Sequence, residues 1–152
     1  MIKKIKVYLD TSVISALFDE KNPERKALTE AFFKQLGTFE VFISEITVAE
    51  AERTPDVKLR RKMKEIISQF SMLPSTDDVE RLAKEYIRRE AVPEGYPEDA
   101  YHIAIAVIHE IEYLLSWNFK HLVRKKTRDI VRKANTESNL RPIEIMTPVE
   151  LL

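Results

Sequence analysis

The chain has 152 residues, of which 44% are hydrophobic and 33% are charged, a balance typical of one globular domain with a sizeable core. It contains no cysteine, which excludes disulfides, thiolate metal sites and cysteine nucleophiles, so a metal would need oxygen or histidine ligands. Its 25 basic residues balance 25 acidic ones, so any polyanion must be bound by local patches of charge. We therefore expect a single domain over residues 1–152.

The sequence contains neither a recognisable membrane span nor a secretion signal. No apolar run reaches the length that crosses a bilayer. Residues 1–6 lead straight into a predicted strand without the apolar stretch of a signal peptide. We therefore expect a cytoplasmic protein with no membrane partner.

The first half of the chain alternates short β-rich segments with amphipathic ones. Residues 6–9 predict a strand that runs into the N-cap former Asp10, which opens a helix over 13–18. Gly37 ends the next amphipathic stretch, and Pro55 separates the two that follow it. The pattern in this half predicts helices over 25–36, 44–53 and 57–70, and strands over 39–43 and 70–73.

The second half continues this alternation of strands and helices. Residues 75–78 cap an amphipathic helix that runs to about residue 90, and a turn over 93–97 precedes the most apolar helix, 98–110. Strands separated by helices pair in parallel through right-handed crossovers, so we expect a three-layer α/β sandwich with a five-stranded parallel sheet flanked by helices. The last two strands are predicted over 112–116 and 143–146. The core is predicted to include Met63, Met72 and Met146.

Three acidic residues occur where such a sheet binds ligands, beyond the carboxyl ends of its strands. Asp10 leaves the first strand, Glu50 follows the second, and Asp99 opens the apolar helix. Each has an ordinary structural explanation. Asp10 suits a helix N-cap, and Glu50 suits the end of a capping box that begins at Thr47. Asp99 suits a first-turn acid that meets the helix dipole, so none of the three identifies a site alone.

Other polar residues near these strand ends were weighed in the same way. Asn118 follows the fourth strand, where a short polar residue is commonly a cap or turn former. Glu52 lies roughly 200° around the helix from Glu50, so the two cannot share a site through one face. His102, one turn after Asp99, can hydrogen-bond near the site, although a lone helical histidine is more often structural. No partner at ligand spacing is evident for His109 and His121.

The shared position of these groups is what predicts a site. Three carboxylates and the Asn118 amide each occur at a strand end, or one turn beyond it, on one edge of the sheet. Mg²⁺ and Mn²⁺ take oxygen ligands and need only a few carboxylates, which suits this set. Such an ion lowers the pKa of a bound water and stabilises charge on a phosphodiester under in-line attack. Crowded carboxylates also repel one another, so we expect at least one raised pKa.

Four segments, in this order and spacing, carry a family resemblance: 7–14, 44–50, 99–106 and 114–122. Together they resemble the PIN-domain nucleases, and among them the toxin-like ribonucleases of prokaryotic toxin–antitoxin pairs, the VapC type. The resemblance implies an endoribonuclease that cleaves single-stranded RNA, an antitoxin protein as partner, and a homodimer. It also implies a Mg²⁺ or Mn²⁺ ion held by Asp10, Glu50 and Asp99, with Asn118 completing the catalytic set.

The chain departs from the family pattern at Asn118, where many relatives have an aspartate. An amide offers a carbonyl oxygen but no negative charge for a second metal. A basic run just after it is close enough in sequence to meet phosphates, although a solvated helix face explains it equally well. The predicted substrate-binding residues are Thr11, Ser12, Arg124, Lys125 and Lys126, and the run continues at Arg128, Arg132 and Lys133.

Two other classes of function fit parts of this pattern. A PIN-like domain could bind RNA or a protein without cutting, and metal-titrated cleavage separates it from a nuclease. Mg²⁺-dependent phosphatases and phospho-accepting domains also place an aspartate after the first strand. The phosphatase pattern requires a second aspartate where this chain has Ser12. The phospho-acceptor pattern requires clustered N-terminal acids and a late lysine after a strand, and neither is evident. We therefore favour the nuclease.

Overall fold

The computed structural model describes residues 3–152; Met1 and Ile2, on which the expected absence of a signal peptide partly rests, lie outside them. Strands and helices alternate along these residues. The first elements are β1 (Ile5–Leu9), α1 (Thr11–Ala16), α2 (Pro23–Phe33), β2 (Phe39–Ser44), α3 (Glu45–Glu52), α4 (Val57–Ile67) and β3 (Ser71–Leu73). The remaining ones are α5 (Asp77–Arg88), α6 (Pro97–Ile108), β4 (Tyr113–Leu115), α7 (Lys125–Glu137) and β5 (Glu144–Met146).

The five strands form one parallel sheet in the order β3-β2-β1-β4-β5. The strand order reverses between β1 and β4, because β2 and β3 extend the sheet on one side and β4 and β5 on the other. Ligands bind at such a switch point, outside the carboxyl ends of the strands. This arrangement confirms the predicted α/β fold, and it makes the ends of β1 and β4 the first place to look for a site.

Two hydrophobic cores cover the two faces of the sheet. Successive side chains of a strand point to opposite faces, and β1 shows this directly: Val7 and Leu9 enter one core while Tyr8 enters the other. The first core also holds buried side chains of the helices α1 to α4, and the second holds those of α5 to α7. Helices therefore flank the sheet on both sides, as the three-layer prediction requires.

Several helix bounds differ from the predicted ones by two or three residues. The α2 helix begins at Pro23, two residues early, because the Asn22 side chain caps it by accepting a hydrogen bond from the Arg25 backbone amide at 3.3 Å. It ends at Phe33, and Gly37 lies in a short 3₁₀ turn that leads into β2. The α4 helix likewise stops at Ile67.

The predicted core position of Met72 is wrong. Its side chain is 54% exposed because β3 is an edge strand, whose outer face is only partly covered. Met63 is buried and Met146 is half-buried against the core, as predicted. Within residues 3–152, no helix combines the length and apolarity that crossing a bilayer requires.

Candidate functional site

Asp10 lies at the switch point between β1 and β4. Its backbone amide donates to the Leu115 carbonyl at 3.0 Å, which holds it at the carboxyl end of both strands. Although Asp10 occupies the N-cap position of α1, its side chain makes no capping hydrogen bond. Instead its Oδ2 accepts hydrogen bonds from Ser12 Oγ at 2.8 Å and Ser116 Oγ at 2.7 Å. Helix capping therefore does not explain this aspartate.

Glu50 projects from α3 toward the same strand end. The capping box of α3 is formed by Ser44 and Thr47, so the capping role weighed for Glu50 is wrong. Its Oε1 accepts hydrogen bonds from Thr11 Oγ1 and His102 Nε2, each at 2.6 Å. Burial alone would raise the pKa of Glu50, but the hydrogen bonds from His102 and Thr11 lower it below its usual value.

His102 is fully buried between the two acids and the sheet. Its Nε2 lies 3.6 Å from Asp10 Oδ1, and its Nδ1 lies 2.6 Å from Tyr8 Oη, which in turn contacts Ser44 Oγ at 2.7 Å. Burial would lower the pKa of His102, but the neighbouring Tyr8, Glu50 and Asp10 raise it well above its usual value. One ligand atom each from Asp10, Glu50 and His102 lie within 4.8 Å of one another.

Asp99 lies in the first turn of α6 and is only 8% exposed. Its Oδ2 contacts His121 Nδ1 at 2.8 Å, a partner that spacing along the chain did not indicate. Burial, and then the charge of nearby Asp10, raise the pKa of Asp99 to about 6. One carboxylate thus has a raised pKa, as expected, although burial contributes more to the shift than the charge of Asp10 does.

Asn118 forms the turn that carries His121 toward Asp99. Its side-chain Oδ1 accepts hydrogen bonds from the backbone amides of Lys120 at 3.2 Å and His121 at 3.0 Å. Its own backbone amide donates to Ser116 Oγ at 2.9 Å. The amide oxygen is thus engaged in shaping the turn, and the predicted catalytic role of Asn118 stays a prediction.

Each of the three carboxylates keeps one oxygen free of protein hydrogen bonds within residues 3–152. Asp10, Glu50 and Asp99 use Oδ2, Oε1 and Oδ2 respectively, which leaves Asp10 Oδ1, Glu50 Oε2 and Asp99 Oδ1 available. Hard divalent cations prefer carboxylate oxygens of this kind. The oxygen donor set therefore fits Mg²⁺ or Mn²⁺, while His102, whose two ring nitrogens contact Glu50 and Tyr8, lies beside it as a hydrogen-bond partner.

The predicted substrate-binding residues fall into three groups. Thr11 and Ser12 donate their hydroxyls to the Glu50 and Asp10 carboxylates and so orient the acids. Lys125 pairs with Asp129 on the exposed face of α7. A cavity of about 620 Å³ near the start of α6 is lined by two more of them, Arg124 and Lys126. Contact of these residues with a substrate stays a prediction.

The sequence did not single out Ser116, Tyr8 or the His121 contact. Ser116 is fully buried, and a serine that ends the apolar strand β4 stands in the same position as Asp10 after β1. This matching position after a neighbouring strand was the signal in the sequence that could have pointed to Ser116. His121 joins Asp99 through a turn between elements, which spacing along the chain does not reveal.

A parallel sheet with carboxylates at its switch point defines an α/β protein with an acidic site at the carboxyl edge of the sheet. The family model described as the PIN domain matches residues 7–121, a stretch that contains Asp10, Glu50, Asp99 and Asn118. The chain therefore belongs to the PIN-domain family. No curated protein sequence matches it.

Three solved structures share the fold at low sequence identity. FitAcB from Neisseria gonorrhoeae is 17% identical with a TM-score of 0.57, covering 93% of this chain and 97% of that one. VapBC2 from Rickettsia felis, solved with a promoter DNA fragment, is 12% identical with a TM-score of 0.58 and the same coverage. VapC20 from Mycobacterium tuberculosis, described as a toxin that cleaves the sarcin-ricin loop, is 20% identical with a TM-score of 0.54, covering 74% and 89%.

Proposed function

We propose that the protein is a metal-dependent endoribonuclease that cleaves single-stranded RNA. The observation that carries the proposal is that Asp10 and Glu50 converge with His102 at the switch point, and that Asp10, Glu50 and the neighbouring acid Asp99 each have one carboxylate oxygen free of protein donors within residues 3–152. Membership of the PIN-domain family supports a nuclease. Single-stranded RNA is the preferred substrate because its backbone can enter a carboxylate-lined site without readout of a groove.

The free oxygens of the three acids would hold one Mg²⁺ or Mn²⁺. When bound, such an ion activates water and stabilises the charge of a phosphodiester in the transition state. The Ser12 and Ser116 hydroxyls fix the Asp10 carboxylate, and Thr11 fixes that of Glu50. These donors hold each carboxylate in one orientation before any ligand arrives, which reduces the cost of ordering the site.

We also propose that the protein is the toxin of a toxin–antitoxin pair, in the cytoplasm, and that it forms a homodimer. Support comes from the similar folds of VapC20, which is described as a toxin, and of the FitAcB and VapBC2 proteins. Co-expression of the adjacent open reading frame, followed by size-exclusion chromatography with light scattering, tests both statements. A chain that elutes alone as a monomer contradicts both.

Cleavage of a labelled single-stranded RNA against Mn²⁺ concentration tests the nuclease. Asp10→Asn and Glu50→Gln should each lower the initial rate at least about 100-fold, because each removes a charged ligand from a minimal set. Glu52→Gln is the matched control, since Glu52 pairs with Lys64 on the outer face of the same helix as Glu50. The mechanism is wrong if Asp10→Asn cuts as fast as the wild-type protein, with EDTA as the blank.

A binding module with a degenerate site is the second candidate, and one observation favours it. Asn118 brings no charge, and its side-chain oxygen already accepts two backbone amides. Asn118→Asp restores a carboxylate, which should hold or increase cleavage at low Mn²⁺ through Coulomb attraction for the cation. If only this variant shows metal-dependent cleavage, the natural protein is a binding module.

A further inference from the structure

Two exposed aromatic side chains lie beside the acidic cluster. Tyr96 and Phe119 are each 50% exposed, and they are the only aromatics among the exposed large hydrophobic side chains of residues 3–152. The others of that set are aliphatic side chains or methionine. Exposed aromatic rings are costly to keep in water, and their position next to a candidate nuclease site suggests a use.

Phe119 is connected to Asp10 through a short chain of contacts. The backbone amide of Trp117, two residues earlier, donates to Ser12 Oγ at 2.9 Å, and Ser12 Oγ donates to Asp10 Oδ2. The Arg25 guanidinium lies 5.1 Å from the centre of the Trp117 ring and 5.7 Å from that of Phe119. An aromatic face next to a cation matches a nucleobase joined to a phosphate.

Tyr96 is connected to the cluster through His121. Its ring lies 4.1 Å from the His121 ring, centre to centre, and His121 in turn contacts Asp99. The preceding Gly95 has a φ of 89°, a left-handed conformation that side chains rarely adopt, and it turns the chain into α6 at this point. One face of Tyr96 is thus covered by an imidazole that belongs to the acidic cluster, while half of the residue remains open.

A cavity lined by three basic residues lies next to Tyr96. Gly95 and Pro97, the neighbours of Tyr96, both line the cavity of about 620 Å³. Its volume suits a ligand of nucleotide size. Three cations and two acids also line it: Arg88, Arg124, Lys126, Glu90 and Glu94. A strand that leaves the acids over Tyr96 would therefore meet positive charge.

We propose that Phe119 and Tyr96 are stacking platforms for unpaired bases of single-stranded RNA on either side of the scissile phosphodiester along the strand. The cavity beyond Tyr96 takes the next phosphate. Only single strands can use such platforms, because duplex bases are already stacked on one another. This inference rests on the proposed function, since it assigns the substrate contacts of the same site.

Binding in EDTA separates the platforms from cleavage. We would measure anisotropy of a fluorescein-labelled single-stranded RNA and of an abasic strand with the same length and backbone. The wild-type protein should prefer the RNA that carries bases. Phe119→Ala and Tyr96→Ala should each weaken binding of that RNA at least about fivefold, the usual effect of losing one base–aromatic stack, and leave binding of the abasic strand unchanged.

Two control variants identify stacking as the cause. Phe119→Trp should restore the preference for bases, while Met72→Ala, which removes an exposed side chain on the edge strand, should not change it. Equal affinity of the wild-type protein for both strands overturns the inference, as does unchanged RNA binding by both alanine variants. If those variants instead lose binding to a co-expressed antitoxin, the rings form a protein interface. If the wild-type protein shows no metal-dependent cleavage, the proposed nuclease function is wrong. A measured preference for the RNA that carries bases would still support the stacking platforms.

Discussion

Asp99 is the residue whose electrostatics are most informative about the site. Its pKa is raised from 3.8 to about 6, so the folded protein holds this proton more tightly than the unfolded chain does. The stabilising contribution is complete below pH 3.8 and is lost as the pH rises through about 6. At neutral pH without metal, the buried charge of Asp99 therefore destabilises the fold.

We predict that Asp99→Asn is more stable than the wild-type protein at neutral pH in EDTA, by on the order of 1–3 kcal/mol. The asparagine can still accept the His121 hydrogen bond but carries no charge beside Asp10. The advantage should disappear near pH 4, where Asp99 is protonated. Urea unfolding at several pH values gives the measurement. A difference in the free energy of unfolding between the two proteins that does not change with pH contradicts the prediction.

Asp129→Asn is the matched control for this pH dependence. Asp129 is exposed on α7, where hydrogen bonds from Lys125 and Arg132 lower the pKa of its carboxyl. Its replacement should leave stability at neutral pH unchanged or slightly lower, because exposed ion pairs contribute little. Changes in stability of opposite sign for Asp99→Asn and Asp129→Asn would distinguish a buried acid near another carboxylate from an exposed acid that is paired with cations.

The residues of the cluster were predictable to different degrees. Asp10, Glu50 and Asp99 were found because strand ends and helix starts are visible in the hydrophobic pattern. The contact between His121 and Asp99 was not, since it depends on a turn whose shape is set by side-chain hydrogen bonds. Ser116 was missed because its only signal, a position after β4 that matches that of Asp10 after β1, does not show that the hydroxyl orients a carboxylate.

The turn after β4 is the element on which the edge of the site depends. Asn118 Oδ1 holds the backbone amides of Lys120 and His121, and this directs the His121 ring to Asp99. We predict that Asn118→Ala lowers the free energy of unfolding by about 0.5–1.5 kcal/mol, because two amides lose their acceptor. Asn118→Asp should retain the fold, since a carboxylate oxygen can accept the same bonds. Chemical denaturation of both variants measures the difference, and equal losses would show that the turn does not need this acceptor.

Elements were easier to place than their ends. All five predicted strands are present, because each is a short run of apolar residues between turn formers. The start of α2 was displaced by the Asn22 cap, which no periodicity shows. The basic run after Asn118 became the helix α7, whose Val131 and Ala134 are buried, so its charged residues lie on the outer face. Composition alone could not distinguish that face from a phosphate-binding surface.

At the scale of the whole molecule, topology explains why distant acids meet. Asp10 and Glu50 are 40 positions apart in the sequence, and Asp99 lies 49 positions further along. Right-handed crossovers between parallel strands bring all the strand ends to one edge. The sequence predicts this gathering as soon as the alternation of strands and helices is recognised. It does not predict His102 at the centre of the cluster, because a histidine inside an apolar helix has the same pattern whether it is structural or functional.

Metal binding should stabilise the whole fold, because the site joins α1, α3 and α6 around the sheet. A cation that binds only the folded state adds about 2.7 kcal/mol when its concentration is 100 times its Kd. A domain of this size gains roughly 2–4 °C per kcal/mol, so we predict that Mn²⁺ raises the melting temperature by roughly 5–10 °C at that concentration. The increase should vanish in Asp10→Asn and persist in Glu52→Gln, which keeps all three ligands. Calorimetry or circular dichroism in EDTA and in increasing Mn²⁺ measures it. A melting temperature that millimolar Mn²⁺ leaves unchanged in the wild-type protein would show that the three carboxylates hold no metal.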